Sequence, residues 1–177
     1  MEKITSNRNQ QQAEEYIEKI QDSGRYEYLP ITGYAPFHDA ARNLLFGHLD
    51  DANADQFVSV HTLGGTGANS LGARFLREAL NPSAVWLSDP TWVNHHNIWS
   101  LVGGVEVRKY PYWDAEKRGL DFENLIQTLE AQATKGDIIV LHACAHNPTG
   151  VDPNTEQWKV IADLCERKGL FPFFDCA

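Results

Sequence analysis

The sequence has few cysteines and fewer basic than acidic residues. Its three cysteines, Cys144, Cys165 and Cys176, are an odd number without paired spacing, which excludes a disulfide scaffold and favours a reducing compartment. The chain has 15 Lys and Arg against 24 Asp and Glu, with a net charge of −9. The basic residues are scattered singly, which excludes a surface for nucleic acid or anionic membranes, because both need clustered positive charge.

Long hydrophobic runs are also missing. No apolar run approaches the ~20 residues that cross a bilayer, and the N-terminus lacks the apolar segment of a secretory signal. Hydrophobic residues still make up 42% of the 177 residues, which is enough for a real core. We expect a soluble intracellular protein that forms one domain or part of a larger one.

From residue 56 onward, short apolar segments alternate with helical patterns. Before this region, helices are predicted over 11–21, which is amphipathic with one apolar stripe, and over 37–49, which has an inward apolar face. Strands are then predicted at 57–63, 84–88, 105–110, 137–141 and 170–174, and helices at 68–80, 94–102, 122–133 and 155–168. This alternation predicts an α/β fold with a mostly parallel sheet between helices. Because only three residues follow the last strand, we expect a truncated chain.

The segment HACAHNPTG, residues 142–150, follows a buried-looking strand. Ligands bind at the carboxyl ends of strands in open α/β sheets. His142, Cys144 and His146 alternate with alanines, so strand spacing predicts that they share one face. The Asn147–Pro148 bond is a candidate for the cis form. A zinc site is disfavoured, because the spacing fits no common ligand pattern and no second cluster supplies ligands.

A glycine-rich segment, residues 61–72, follows a predicted strand and opens a helix. Its glycines let the backbone approach a ligand, and a helix N-terminus favours a phosphate. The spacing matches neither a dinucleotide-binding GxGxxG motif, because Ser70 occupies the third glycine position, nor a Walker loop. A simple tight turn and an anion site are equally supported by this segment alone.

Two further segments follow predicted strands. Trp92 either stacks on a planar ligand or packs in the core, and packing is the favoured interpretation. His95 and His96 cannot face the same way on a helix, so at most one lines a site. Asp175 ends an apolar strand, so it either pairs with a cationic or protonated nitrogen or caps a following helix.

Together these segments resemble the aspartate aminotransferases, which are class I, fold-type I pyridoxal-phosphate enzymes. The matching motifs occur in the family's order and rough spacing from about Tyr28 to Ala177. They are GTG at 65–67, PTW at 90–92 with NH at 94–95, YWD at 112–114, RGLD at 118–121, LHACAHNPTG at 141–150 and FFD at 173–175. The resemblance implies an N-terminal helical segment, 1–50, and a partial pyridoxal-phosphate-binding α/β large domain, 51–177.

The resemblance also implies a site for pyridoxal 5′-phosphate. Gly65 and Thr66 would hold the phosphate of this cofactor. Trp92 would stack on the pyridine ring, Asn147 would hydrogen-bond the ring oxygen, and both would contact the substrate. Tyr28 would reach the phosphate in a neighbouring subunit, which implies a homodimer.

Asp175 has the central role that the resemblance implies, because it would pair with the protonated pyridine nitrogen. His95 and His142 would support that aspartate without touching the cofactor. Cys144 has no chemical role in the family and is interpreted as a packing residue. Gly64 replaces the family's usual serine, which is expected to weaken cofactor binding somewhat.

The implied reaction is reversible amino-group transfer between L-aspartate and 2-oxoglutarate, giving oxaloacetate and L-glutamate. The family's Schiff-base lysine matches none of the seven lysines of this chain, so no catalytic residue is assigned and the chain is expected to be inactive alone. Details of 110–119 and 171–174 favour the cytoplasmic branch over the mitochondrial one. Two alternatives stay open: a catalytically dead binding or dimerising module, and a fragment of an aromatic-amino-acid aminotransferase.

Overall fold

The computed structural model describes residues 2–21, 28–47 and 56–177. The chain divides into two compact units, Met1–His61 and Thr62–Ala177. The predicted domain boundary at residue 50 stays a prediction. No helix in the described ranges is long and apolar enough to cross a membrane.

The N-terminal unit contains two helices, α1 (Glu2–Gln21) and α2 (Ala35–Phe46). A proline in the first turn of α2 suits a helix start, because the N–H it lacks has no helical partner there. Both helices were predicted, although α1 begins at Glu2 rather than at residue 11, and the inward apolar face predicted for α2 was wrong. No residue of α2 is buried, and Leu44 is 89% exposed.

The C-terminal unit is built on a four-stranded sheet. Its strands are β1 (Ala84–Asp89), β2 (Glu106–Pro111), β5 (Ile138–His142) and β6 (Phe171–Asp175). They lie in the order β2-β1-β5-β6, and every pairing is parallel. The carboxyl ends of all four strands therefore meet at one edge of the sheet.

Helices cover both faces of this sheet. They are α3 (Gly64–Leu80), α4 (Val93–Val102), α5 (Phe122–Gln132) and α6 (Thr155–Lys168). Helices α3 and α4 pack on one face, in a cluster of Ala73, Leu76, Val85, Leu87, Ile98, Trp99, Ile138 and Val140. Helices α5 and α6 pack on the other, in a cluster that includes Trp86, Leu125, Leu129, Ile139, Leu141, Ile161 and Leu164. Strand side chains alternate between the two clusters, which explains why most residues of β1 and β5 are apolar. The parallel sheet with helices on both faces confirms the predicted α/β fold.

Asp137 ties two central strands together from inside the core. Its side chain is completely buried. It accepts hydrogen bonds from the Ala84 N–H (3.1 Å), the Trp86 indole Nε1–H (3.0 Å) and the Thr134 N–H (2.9 Å). A buried carboxylate is tolerated only when such partners replace water, so this residue joins the start of β1 to the start of β5.

The local structure differs from the sequence prediction in two places. The strand predicted at 57–63 does not form: those residues pair with no strand in the described ranges, and Val58 is 89% exposed. A short antiparallel pair, β3 (Trp113–Asp114) and β4 (Gly119–Leu120), was not predicted. It closes through Asp114, whose Oδ1 accepts the N–H groups of Glu116 and Lys117.

Candidate active site

A cavity of about 330 Å³ opens at the carboxyl ends of β5 and β6. It lies where ligands bind in open parallel sheets. The residues that line it come from the starts of α3 and α4 and from the segments that end β5 and β6. They are Gly65, Asn69, Trp92, His142, Cys144, Ala145, Asn147, Asp175, Cys176 and Ala177.

Asp175 ends β6 with its carboxylate at the cavity wall. Its Oδ2 lies 2.8 Å from Nε2 of His95, which is buried on α4. The hydrogen bond from His95, and then one from Asn69, lower the pKa of the Asp175 carboxyl although partial burial acts in the opposite direction. The cavity therefore contains a carboxylate that stays ionised well below neutral pH.

A relay of hydrogen bonds runs behind this carboxylate. The Asn147 N–H donates to Nδ1 of His142 over 3.2 Å, so this nitrogen is an acceptor and the proton of the neutral ring lies on Nε2. The Thr91 hydroxyl bridges His142 Nε2 (3.0 Å) and His95 Nδ1 (2.8 Å). His142 donates to Thr91, Thr91 donates to His95, and the remaining proton of His95, on Nε2, points at Asp175.

Two imidazoles of this region are held neutral. Burial, followed by the charge of His95, lowers the pKa of His142 to about 4. Burial, followed by the charge of His142, lowers the pKa of His146 to about 4. The rings of His142 and His146 lie 4.1 Å apart, and Tyr112 stacks on His146 at 3.6 Å. Their neutrality at pH 7 agrees with the acceptor role of His142 Nδ1.

The predicted common face of His142, Cys144 and His146 was wrong. Strand β5 ends at His142, and Ala145 has a φ of 51°, in the left-handed region. This bend buries His146 and leaves Cys144 exposed, which also contradicts the interpretation of Cys144 as a packing residue. The carboxylate of Asp152 stabilises the bend by accepting the N–H groups of Ala145 (2.8 Å) and His146 (2.9 Å).

The predicted glycine-rich site lies at the start of α3. The helix begins at Gly64, four residues before its predicted start, and no described side chain caps its N-terminus. Gly65 lines the cavity, whereas Thr66 is exposed and does not line it. Gly72 lies further along α3, facing Phe173 of β6. A Cβ added at this position would lie 2.9 Å from the Phe173 ring. The absence of a side chain there lets α3 approach the strand that ends in Asp175.

Asn69 was not predicted as a site residue. Its side chain is 6% exposed, and its Nδ2 donates to the Gly65 carbonyl oxygen over 3.0 Å. Its Oδ1 is buried and has no hydrogen-bond partner among the described residues. Such an acceptor is costly unless a ligand donates to it. The sequence contained no motif that would single out this asparagine.

The remaining predicted residues have different environments. Trp92 and Asn147 line the cavity, and Asn147–Pro148 is cis, as is Asp89–Pro90. Of the two adjacent histidines, His95 is buried against Asp175, and His96 does not line the cavity. Tyr28 belongs to the N-terminal unit and is fully exposed.

Comparison with known proteins gives concordant matches. The family model for aminotransferase class I and II matches residues 3–177. The L-tyrosine:2-oxoglutarate aminotransferase ucdG of Aspergillus ustus is 51% identical, over 94% of this chain and 33% of its own length. The cytoplasmic aspartate aminotransferase of Gallus gallus is 46% identical, over 86% of this chain and 38% of its own length. An aromatic-amino-acid aminotransferase from Burkholderia pseudomallei, covalently bound to pyridoxal phosphate, superposes with a TM-score of 0.84 at 38% identity, over 90% of this chain and 40% of that one.

The fold is that of the large domain of a fold-type I aminotransferase. The chain belongs to the aminotransferase class I and II family, in the group of aspartate and aromatic aminotransferases, and this confirms the predicted family. The chain spans only 33% to 40% of the length of the three relatives. Their names cover both acidic and aromatic amino acids, so membership of the group does not select one amino acid.

Proposed function

We propose that this chain binds the ring and phosphate of pyridoxal 5′-phosphate, as part of an enzyme that transfers amino groups. The observation that carries the proposal is the Asp175–His95 pair at the cavity wall, with 2.8 Å between carboxylate and imidazole. When bound, this cofactor supplies an electron sink for carbanion chemistry through its pyridine ring. A permanent carboxylate beside the ring nitrogen keeps that nitrogen protonated, because opposite charges favour the charged form.

The described residues fit the ring. Asp175 would accept a hydrogen bond from the ring N–H, and His142, with its proton on Nε2, would keep the relay pointing at Asp175. The side-chain amide of Asn147 would hydrogen-bond the ring oxygen, and the indole of Trp92 would cover one ring face. Both Trp92 and Asn147 line the cavity and would also contact the substrate.

The described residues also fit the phosphate. The uncapped N-terminus of α3 offers backbone N–H groups and a partial positive charge, which together favour an anion. Gly65, which lines the cavity, has open space where a side chain would project. Thr66 would add a hydroxyl to the phosphate. The buried Oδ1 of Asn69 needs a donor, which a bound ligand can provide.

We propose L-aspartate and 2-oxoglutarate as the substrates, with oxaloacetate and L-glutamate as products, and the cytoplasm as the location. The resemblance of the motifs and the aspartate aminotransferase of Gallus gallus support this choice. An aromatic amino acid is the second candidate, supported by the 51% identity to a tyrosine aminotransferase. Tyr28, fully exposed, would contact the cofactor phosphate of a second subunit in a homodimer.

The first experiment is a calorimetric titration with pyridoxine 5′-phosphate, which lacks the aldehyde and so cannot react with surface lysines. We expect saturable binding, and a loss of at least tenfold in affinity for Asp175→Asn, since a charged hydrogen bond contributes about 1.5–3 kcal/mol. Glu116→Gln, on the exposed β3–β4 turn, is the matched control and should bind normally. No turnover of aspartate or tyrosine is expected from this chain alone. Equal binding by Asp175→Asn would contradict the assignment.

The substrate class needs a second titration, of the chain already saturated with pyridoxine 5′-phosphate. Maleate represents the dicarboxylic substrates, and 3-phenylpropanoate represents the aromatic ones. Tighter binding of maleate supports aspartate. Tighter binding of 3-phenylpropanoate would select the aromatic candidate.

A further inference from the structure

The two cysteines that line the cavity are brought together by the pairing of β5 with β6. His142 lies opposite Asp175 in the parallel register. The Ala143 N–H, one residue further, donates to the Asp175 carbonyl oxygen over 2.8 Å. Cys176 therefore comes directly after Asp175, the last paired residue of β6. Cys144 comes two residues after His142, the last paired residue of β5. Both side chains line the same cavity, and Cys144 is near enough to contribute to the raised pKa of Cys176.

The backbone segments that carry the pair have a spacing compatible with a disulfide. The Ala143–Asp175 hydrogen bond lies one residue before each cysteine, neighbouring strands joined in this way lie about 4.8 Å apart, and disulfides join residues whose Cα atoms are about 4.4–6.8 Å apart. Both Cys144 and Cys176 are exposed, so a dissolved oxidant can reach them. Cys165 is buried in the core cluster between α5 and α6 and cannot compete for either partner.

We propose that Cys144 and Cys176 form a reversible disulfide bond across the rim of this cavity. A sparse cysteine content does not argue against such a bond, because disulfides in reducing compartments are typically transient and redox-sensing rather than structural. The bond would join the bend after β5 to the end of β6, and these two segments carry Asn147 and Asp175.

A small-molecule disulfide such as oxidised glutathione supplies the oxidising equivalents. The Cys144 thiolate attacks one glutathione sulfur, forms a mixed disulfide and releases one glutathione thiolate. The Cys176 thiolate then attacks the Cys144 sulfur and releases the second. The protein loses two protons and two electrons, and two molecules of reduced glutathione are formed. The pKa of Cys176 is raised, first by burial and then by Cys144, which lowers the thiolate fraction of Cys176 and slows its attack.

The bond has a consequence for the cavity, and this consequence rests on the proposed function. At about 330 Å³, the cavity is near the lower end of the roughly 300–1,000 Å³ typical of ligand pockets. A sulfur bridge on its rim restricts the movement of the 143–147 bend and narrows the opening. The oxidised chain should therefore bind pyridoxine 5′-phosphate several-fold more weakly, and reduction with dithiothreitol should restore binding.

The test is oxidation of the folded chain with oxidised glutathione, followed by mass spectrometry of its peptides. We expect a mass loss of about 2 Da, corresponding to two hydrogen atoms, and a cross-linked peptide containing Cys144 and Cys176. Cys144→Ser and Cys176→Ser are matched controls, each of which should retain one glutathione adduct instead. Stable glutathione adducts on both cysteines of the unmodified sequence, without a cross-link, would overturn the proposal.

Binding measured on the same samples separates the two proposals. Unchanged affinity of the fully oxidised chain would overturn the narrowing of the cavity. Weaker binding by the oxidised chain, but not by oxidised Cys144→Ser, supports it. A reduced chain that fails to bind pyridoxine 5′-phosphate would contradict the proposed function, whereas peptide mapping would still decide whether the bond forms.

Discussion

A single backbone N–H determines the direction of the hydrogen-bond relay behind Asp175. Because Asn147 donates to His142 Nδ1, the proton of His142 must lie on Nε2, and the Thr91 hydroxyl must donate to His95. Protonation of His142 on Nδ1 would remove the acceptor of the Asn147 N–H and place two N–H groups face to face. The lowered pKa of His142 therefore helps to keep Nδ1 available as that acceptor.

The lowered pKa values of the histidines predict a loss of stability in mild acid. His146 has a pKa of about 4 in the folded chain against an ordinary value of 6.5. Below pH 6.5 the unfolded chain takes up a proton that the folded chain does not, so the free energy of unfolding falls as the pH drops towards 4. The contribution of His146 is roughly 3 kcal/mol over this range. The lowered pKa of Asp175 affects stability only at pH values below this range. Its contribution to the free energy of unfolding is lost as the pH falls through the pKa that Asp175 has in the folded chain.

His146→Gln tests this expectation, because glutamine keeps polar contacts but cannot titrate. Urea unfolding of both chains at several pH values between neutral and about 4.5 measures how steeply the free energy of unfolding depends on pH. The variant is expected to be less stable at neutral pH, since the bonds to Ser88 and Thr149 change, but to lose less stability on acidification. Parallel pH profiles for the two chains would show that His146 already titrates normally in the folded state.

At the scale of elements, the sequence pattern predicted the strands of the parallel sheet well, but it was less successful for the segment 57–63 and for the β3–β4 pair. The four strands of the parallel sheet begin and end within one residue of their predicted limits. For β1 and β5 the reason is that their apolar runs are buried on both faces. The apolar segment 57–63 has the same local pattern but pairs with no described strand, and pairing is not encoded in local periodicity. The β3–β4 pair was missed because its two-residue strands are too short for a periodic signal.

Asp137 gives the most direct prediction at the element scale. Asp137→Ala would leave the Trp86 indole N–H and the Ala84 and Thr134 N–H groups without their acceptor inside the core. Each buried donor without a partner costs about 1–3 kcal/mol, so we expect a loss of about 3 kcal/mol or more in the free energy of unfolding. Asp137→Asn, which keeps one oxygen acceptor, should lose less. Urea unfolding curves measure both, and a loss below 1 kcal/mol for Asp137→Ala would refute the role of this carboxylate.

At the scale of the whole molecule, large apolar side chains are exposed along the last strand. Phe171 is 40% exposed and Phe174 is 53% exposed, and β6 is an edge strand of the sheet. Phe174 also borders an apolar groove beside α6, of about 420 Å³. An exposed apolar edge favours association between chains, so we expect this chain to aggregate through residues 170–174.

Light scattering at micromolar concentration tests this association. Phe171→Lys places a charge at the sheet edge and should reduce association, because edge charges oppose strand pairing between molecules. Leu101→Lys is the matched control, since Leu101 is 86% exposed on α4, away from that edge. If the two substitutions reduced association by the same amount, the chains would associate through exposed apolar residues in general rather than through β6.

The candidate site was partly predictable. The motifs singled out Gly65, Trp92, Asn147 and Asp175, and all four line one cavity, although their roles stay predictions. Asn69 and the stacking of Tyr112 on His146 were not predictable, because they depend on how α3 and the bend after β5 pack rather than on a local pattern. Thr91 lay inside a recognised motif, but its bridging role needs residues 51 positions apart.

Nuclear magnetic resonance of the bound ring tests whether Asp175 holds a protonated pyridine nitrogen. Pyridoxine 5′-phosphate labelled at the ring nitrogen would be bound to the reduced chain and followed while the pH is raised. We expect the nitrogen to stay protonated to a higher pH in the chain than in water, and Asp175→Asn to remove this increase in its pKa. A ring nitrogen that titrates in the bound state as it does in water would show that Asp175 does not have this role.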